Sequence, residues 1–274
     1  MKQALPRSRI PKSRYGIESL ARGLATLALF SSDAPSLSFT EIVETLKLHK
    51  STAFRVLSTL ETAGYLERDA ATRRYRPGLK VLQLGFTALS SLEVRQMARP
   101  YLERVALETA ETASLAVLDG MHIVYVDRIR NRAIVGVVLG VGSHAPAHGT
   151  SLGKVLLADL PVAEVKKRLA GVVLARYTPH TIVERSALLA ELALIRKRGY
   201  AVNDEELAIG LRGVSAPIRD ATQKAVAAIN VSGPTSTISR ERLKTEIMPA
   251  VVKTAGRISL ALGYSHGNSF QSTS

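Results

Sequence analysis

The chain has 274 residues, enough for two ordinary domains, and a hydrophobic content of 46% places it among globular proteins. It contains no cysteine, which excludes disulfides, thiolate metal sites and a cysteine nucleophile. No apolar run reaches the length of a membrane span, and the basic, proline-broken start lacks the apolar core of a secretory signal, so a cytoplasmic protein is expected. The net charge of +14 favours polyanionic partners, and half of it lies in the first third of the chain.

Residues 1–14 carry Lys2, Arg7, Arg9, Lys12 and Arg14 with no acid, and read as a flexible basic tail or an arm that follows a polyanion. Ile17, Leu20, Ala21, Leu24, Leu27 and Ala28 recur at helical spacing and predict an amphipathic first helix ending near "SSDAPS". Ser38 and Glu41 form an S-x-x-E capping box, with Leu37 and Ile42 placed as a hydrophobic staple, so a short second helix runs to about Leu46. The turn "KLHK" leads to a third helix from Lys50 or Ser51 to Ala63, stopped by Gly64. "YLERD" and "TRRYRP" flank the turn "AAT" and predict a hairpin closed by Pro77–Gly78.

From Leu79 to Glu111 the pattern is helical, and Pro100 suits the first turn of a new helix. We place a winged domain at 15–78, a linker helix at 79–94, a second domain at 95–264 and a flexible tail at 265–274. In the second domain "ASLAVLDG", "MHIVYVDRI" and "AIVGVVLGV" are strand-like. Helices follow at "SLGKVLLADL" and "LLAELALIRKRGY", then strands at "VSAPIRD" and "AVAAINVSG", and a last helix from Ser239 to Leu262. The expected class is α+β.

Three helices and a hairpin form the layout of a winged helix-turn-helix. In the third helix Ala53, Val56, Leu57 and Leu60 fall at i, i+3, i+4 and i+7 and face the other two. The opposite side carries Ser51, Thr52, Arg55, Ser58 and Thr59, with Lys50 at its start. A major groove admits one helix and rewards short hydroxyls near phosphates and long cations at base edges. Arg55 is the candidate for guanine, Thr52 for a thymine methyl or a phosphate, and Lys50 and Ser51 with the helix N-terminus for a backbone phosphate. In the hairpin Arg68, Arg73, Arg74 and Arg76 are within reach of phosphates or the minor groove.

These residues, with "SFTEIVETLKLHKSTAFRVLSTLETAGYLERD", "YRPGLKVLQLG", "GTSLGKVLLADLP", "RGYAVNDEELAIGLRGVSAPIRD" and "AAINVSGP", resemble the IclR-type bacterial transcription regulators across most of residues 15–262. The resemblance implies an N-terminal winged helix-turn-helix, a linker helix and a GAF-like effector domain. It also implies dimers or tetramers on palindromic double-stranded operator DNA, a small organic acid as effector, no cofactor and no catalysis. Its effector contacts carry over to Ser151 and Leu152 through backbone N–H, and to Asn203, Gly213, Asn230 and Ser232. At Gly213 a side chain that several relatives use is missing. The runs "NDEELAIGLR" and "AAINVS" resemble the branch that regulates aromatic-acid catabolism, including protocatechuate and hydroxybenzoate pathways. Elementary geometry supports two of these contacts independently. Free N–H groups at a helix start attract a carboxylate, and Asn230 and Ser232, two apart on a strand, face the same side.

Other chemistries fit less well. "GTSLGKV" is one residue short of a phosphate-binding loop and has Val155 where Ser or Thr is needed. His144 and His148 are four apart with Pro146 between them, which breaks the helix a metal pair would need. Asp204, Glu205 and Glu206 lack a partner base or nucleophile, and His122 reads as structural or solvent-facing. The rival to a regulator is an α+β enzyme with an accessory nucleic-acid module.

Overall fold

The computed structural model describes residues 16–31, 34–130 and 140–265. The basic tail at 1–14 and most of the "AIVGVVLGV" segment lie outside them, as does the C-terminal tail beyond residue 265. The chain divides into two compact units, Met1–Ser91 and Leu92–Ser274.

The first unit contains α1 (Glu18–Leu27), α2 (Phe39–Leu46), α3 (Lys50–Thr62), β1 (Leu66–Arg68), β2 (Tyr75–Pro77) and α4 (Leu79–Ser90). The capping box at Ser38 is formed. Its hydroxyl accepts from the Glu41 N–H at 3.2 Å, and the Glu41 carboxylate accepts from the Ser38 N–H at 2.7 Å. Bonds from Ser38, reinforced by Arg74, hold the Glu41 carboxyl below its usual range. Leu29, Leu37, Ile42, Leu57, Leu66 and Tyr75 form the core, with Leu60 packed against them. The antiparallel β1–β2 hairpin gains a third edge, because Leu37 and Tyr75 exchange two backbone hydrogen bonds.

The apolar stripe of α1 is only partly covered: Leu27 packs against the core and Ala21 is half-buried. Ile17, Leu20, Leu24 and Ala28 are exposed, and the helix is anchored through Ala25, Thr26 and the following Leu29. Helical spacing identifies a stripe but not what covers it. Leu79, Leu82, Leu84 and Phe86 of α4 are also exposed, and α4 buries none of its residues.

The second unit contains α5 (Glu93–Thr109), β3 (Thr112–Asp119), β4 (His122–Ile129), β5 (His144–Pro146), α6 (Ser151–Asp159), α7 (Val162–Leu169), α8 (Arg185–Arg198), β6 (Ala201–Asp204), β7 (Leu211–Arg219) and β8 (Ala225–Pro234). It closes with α9 (Arg240–Arg242), a π-helical turn (Leu243–Ile247) and α10 (Met248–Ala261), so the expected last helix contains a bulge. Pro100 lies inside α5, and the helical pattern breaks at Ser91 and Leu92 instead.

The strands form one antiparallel sheet in the order β5-β4-β3-β8-β7-β6. One face packs on α6 and α8 through Ala116, Tyr125, Leu152, Leu156, Leu188 and Ala228. The other packs on α5 and α10, so the central strands are buried on both sides. The architecture is the expected α+β, with an N-terminal helix-turn-helix unit and a GAF-like C-terminal unit. Among the described residues no helix is long and apolar enough to cross a membrane.

Candidate functional site

The first site is the outer face of α3. Ala53 and Leu57 are buried and Val56 and Leu60 half-buried, which turns Ser51, Phe54, Arg55 and Ser58 outward as one i, i+3, i+4, i+7 stripe. Lys50 and Thr59 are also exposed and Thr52 is half-buried. The Thr59 hydroxyl donates to the Arg55 carbonyl at 2.8 Å, so it is partly occupied within the helix. No intramolecular ion pair engages Lys50 or Arg55 among the described residues. Phe54, at 61% exposed, belongs to this face although sequence reasoning passed over it. His49 occupies the N-cap position without bonding the helix backbone; its ring meets the Ser51 hydroxyl at 2.9 Å instead. The first N–H groups of α3 therefore stay available to an anion.

The hairpin arginines divide into different roles. Arg74, expected at a phosphate, is bonded within the fold. Its Nε donates to the Ser36 hydroxyl at 3.1 Å, and one terminal nitrogen donates to the Ser36 carbonyl and to Glu41, both at 2.9 Å. Arg76 pairs across the hairpin with Glu67 at 2.9 Å, where the strand register sets the two opposite. Arg68 lies 5.4 Å over the Tyr75 ring. Arg73 is exposed at the hairpin tip with a left-handed φ of 59°, and the turn is braced by the Asp69 carboxylate accepting from Ala71 and Thr72. Those Thr72 bonds hold the Asp69 carboxyl below its usual range.

The second site is a cavity of about 140 Å³ in the C-terminal unit, smaller than the clefts that take drug-sized ligands. Ser151, Leu152, Asn203, Gly213, Asn230 and Ser232 all line it, together with Tyr125, Arg128, Arg212 and the 207–211 segment. The strand register explains the gathering. Asn203, Gly213, Ser232 and Thr112 stand side by side across β6, β7, β8 and β3. The next row of that face is Ser215, Asn230, Ser114 and Arg128 across β7, β8, β3 and β4. A β-bulge between Leu115 and Ala116 of β3, opposite Val126, brings Arg128 onto the face of Tyr125.

At the α6 end the Thr150 hydroxyl accepts from the Gly153 N–H at 3.0 Å. That cap leaves the Ser151 and Leu152 N–H groups without helix partners. The Ser151 and Ser215 hydroxyls meet at 2.7 Å and fix the helix start over β7. Gly213 has a packing reason: an added Cβ would lie 2.7 Å from the Ser232 Cβ and 2.8 Å from the Val231 carbonyl oxygen. Asn203 is bonded at both ends of its amide, donating to the Gly149 carbonyl at 2.7 Å and accepting from the Glu206 N–H at 3.2 Å, so it organises the rim from within. Asn230 is 6% exposed, and its side-chain oxygen is buried without a hydrogen-bond partner.

The remaining charges are structural. Lys154, 1% exposed, donates to the Val202 carbonyl at 2.8 Å and pairs with Glu206, so the lysine of "GTSLGKV" braces the pocket wall. Burial raises the Glu206 carboxyl above its usual range against the opposing pull of Lys154. Burial also acts to raise Asp204, but its bonds to Arg212 at 2.7 Å and Arg240 at 3.0 Å outweigh that and lower it. Arg212 also donates to the Ile238 carbonyl at 2.7 Å. Burial lowers His148, whose ring is 3.0 Å from the Ala175 carbonyl oxygen. His144 lies in β5, and no cluster of metal-ligating side chains forms among the described residues.

Residues 19–70 match the family described as "IclR helix-turn-helix domain", and residues 86–260 match "Bacterial transcriptional regulator IclR C-terminal". The chain is 33% identical over 248 residues to the HTH-type transcriptional regulator XynR of Escherichia coli (strain K12), covering 90% of this chain and 98% of that one. The crystal structure of Thermotoga maritima IclR aligns with a TM-score of 0.68 at 32% identity, covering 90% of this chain and 99% of that one. An IclR homolog from Microbacterium hydrocarbonoxydans, crystallised with 4-hydroxybenzoate, aligns with a TM-score of 0.75 at 27% identity, covering 90% and 100%.

Proposed function

The chain belongs to the IclR family of bacterial transcriptional regulators, a regulator and not an enzyme, and from that premise we propose how it reads DNA and what it senses. A dimer presents two α3 helices to successive major grooves of a palindromic operator, with half-sites about one helical turn (~34 Å) apart or a multiple of it. Arg55 reads a guanine, Ser51, Thr52 and Ser58 meet a thymine methyl or nearby phosphates, and Lys50, Arg73 and the α3 N-terminus hold the backbone. The observation that carries this reading is the two-sidedness of α3. Its inner face is filled, while among the described residues no ion pair engages a cation of its outer face.

The exposed apolar stripes of α1 (Ile17, Leu20, Leu24) and α4 (Leu79, Leu82, Phe86) support assembly, because large uncovered apolar side chains at helical spacing mark association surfaces. The cavity over β7 and β8 takes a small carboxylic acid, aromatic acids included, with one carboxylate on the Ser151 and Leu152 N–H groups and polar contacts to Asn230 and Ser232. The complex of the Microbacterium homolog with 4-hydroxybenzoate supports an acid of this kind. The effector changes operator affinity only as far as it prefers one state of the dimer over another.

A gel-shift titration on the DNA upstream of the protein's own gene, with and without a panel of small acids, tests the proposal. The reading predicts specific, salt-sensitive binding whose midpoint moves with at least one acid. Binding indifferent to sequence and to every acid would reject it.

A further inference from the structure

Arg128 is the charged group of the cavity that the reading above leaves unused. It lines the cavity on β4 and its guanidinium carbon lies 5.6 Å from the Tyr125 ring centroid. Its Nε is buried without a hydrogen-bond partner. The same holds for the Ser114 hydroxyl and the Asn230 side-chain oxygen, and register places these three residues side by side in one cross-strand row. Buried polar groups are nearly always bonded, so three unpartnered neighbours in one row mark a place where bonds are completed from outside. Stacking on Tyr125 accounts for where the guanidinium lies but not for its empty donor.

Charge bookkeeping around the cavity is equally uneven. Among the described residues no carboxylate lines it, and the second lining cation, Arg212, is committed to Asp204 and the Ile238 carbonyl. Arginine stays charged under ordinary conditions even when burial disfavours it. The α6 amides and Arg128 stand at opposite ends of the row. Ser151 is fixed over Ser215 on β7, and β8 and β3 lie between β7 and β4. Three inter-strand spacings amount to ~14 Å between the anchoring backbones. A single carboxylate held on the α6 amides cannot also reach an anchor three strands away, so a ligand that engages both ends carries two acidic groups.

Resting on the effector reading of this cavity, we propose that Arg128 takes a second acidic group of the ligand, so that the effector is a small dianion of the dicarboxylate class. One carboxylate sits on the Ser151 and Leu152 N–H groups and the other on Arg128, with Asn230 bonding a polar atom between them. Arg128 then sets specificity between diacids and monoacids.

Isothermal titration of the full-length protein tests this with succinate, glutarate, adipate and terephthalate against butyrate, valerate, hexanoate and benzoate. The expected result is at least one diacid bound ~10- to 100-fold more tightly than its monoacid counterpart, the range for a charged hydrogen bond. Arg128→Gln should bring that preference below about threefold, and Arg128→Lys, which keeps the charge, should retain part of it. Thermal melts of both variants establish that they fold. Monoacids binding as tightly as diacids, or a preference that survives Arg128→Gln, would overturn the dianion assignment while leaving the effector cavity intact. No binding by any of the eight acids would overturn both readings.

Discussion

Gly153→Ala and Gly256→Ala make the same chemical change in the same unit, and the structure predicts opposite signs. Gly256 lies exposed in α10 with no atom within 4 Å of an added Cβ, so alanine there gains ~1 kcal/mol of helix propensity. Gly153 lies buried in the first turn of α6. Its added Cβ would stand 2.2 Å from the Ala147 Cα and 2.3 Å from the Ala147 carbonyl oxygen. These are backbone atoms, so no rotamer change relieves the clash, and the helix start must move by more than an ångström. Overpacking of this kind costs ~1–3 kcal/mol or more. Taking the upper end and subtracting the same ~1 kcal/mol helix gain leaves a loss of ~2 kcal/mol. For a unit of this size that is a fall in Tm of ~4–8 °C, against a rise of ~2–4 °C for Gly256→Ala. Calorimetry of both variants checks the pair. A Gly153→Ala protein as stable as Gly256→Ala would refute the claim that close backbone approach, rather than turn flexibility, requires glycine in "GTSLGKV".

The hairpin arginines should separate in a second experiment. Arg74→Ala should lower the stability of the N-terminal unit by ~1 kcal/mol and leave the salt slope of DNA binding unchanged. Arg73→Ala should leave stability unchanged and reduce that slope by about one; the reverse pattern would exchange their roles. The double variant Asn230→Ala with Ser232→Ala should bind operator normally and lose its response to effector, so an unchanged response would dismiss the cavity. Because burial lowers the pKa of His148 in the folded state, the neutral ring stabilises the protein above pH 6.5, and this is lost as pH falls through the lowered value. His148→Gln should therefore reduce the fall in melting temperature below pH 6.5, and an identical pH profile would contradict the buried neutral ring.

Features set by neighbouring residues were legible in the sequence. Ser38 and Glu41 are three apart and form the capping box they spell, and the Ala53, Val56, Leu57 and Leu60 spacing correctly divides the two faces of α3. What depended on distant partners was not legible. The Ile17, Leu20 and Leu24 stripe is visible, yet nothing local says that it faces away from its own unit. Arg74 looks like its neighbour Arg73 until the fold sets it against Ser36 and Glu41. Arg128 joins the cavity through a bulge and a register across three other strands, neither of which leaves a local trace. The short β6 lacks the length for a periodic signal, and α7 carries three consecutive cations that mask its two buried residues, Val165 and Leu169.

The central claim is that the outer face of α3 reads bases. The most direct test measures affinity for the operator and for every single-base-pair substitution within one half-site, using the wild type and Arg55→Ala. We expect the variant to lose ~1–3 kcal/mol on the native site and to become indifferent at one guanine position while keeping its preferences elsewhere. An Arg55→Ala protein that discriminates at every position as the wild type does would contradict the account.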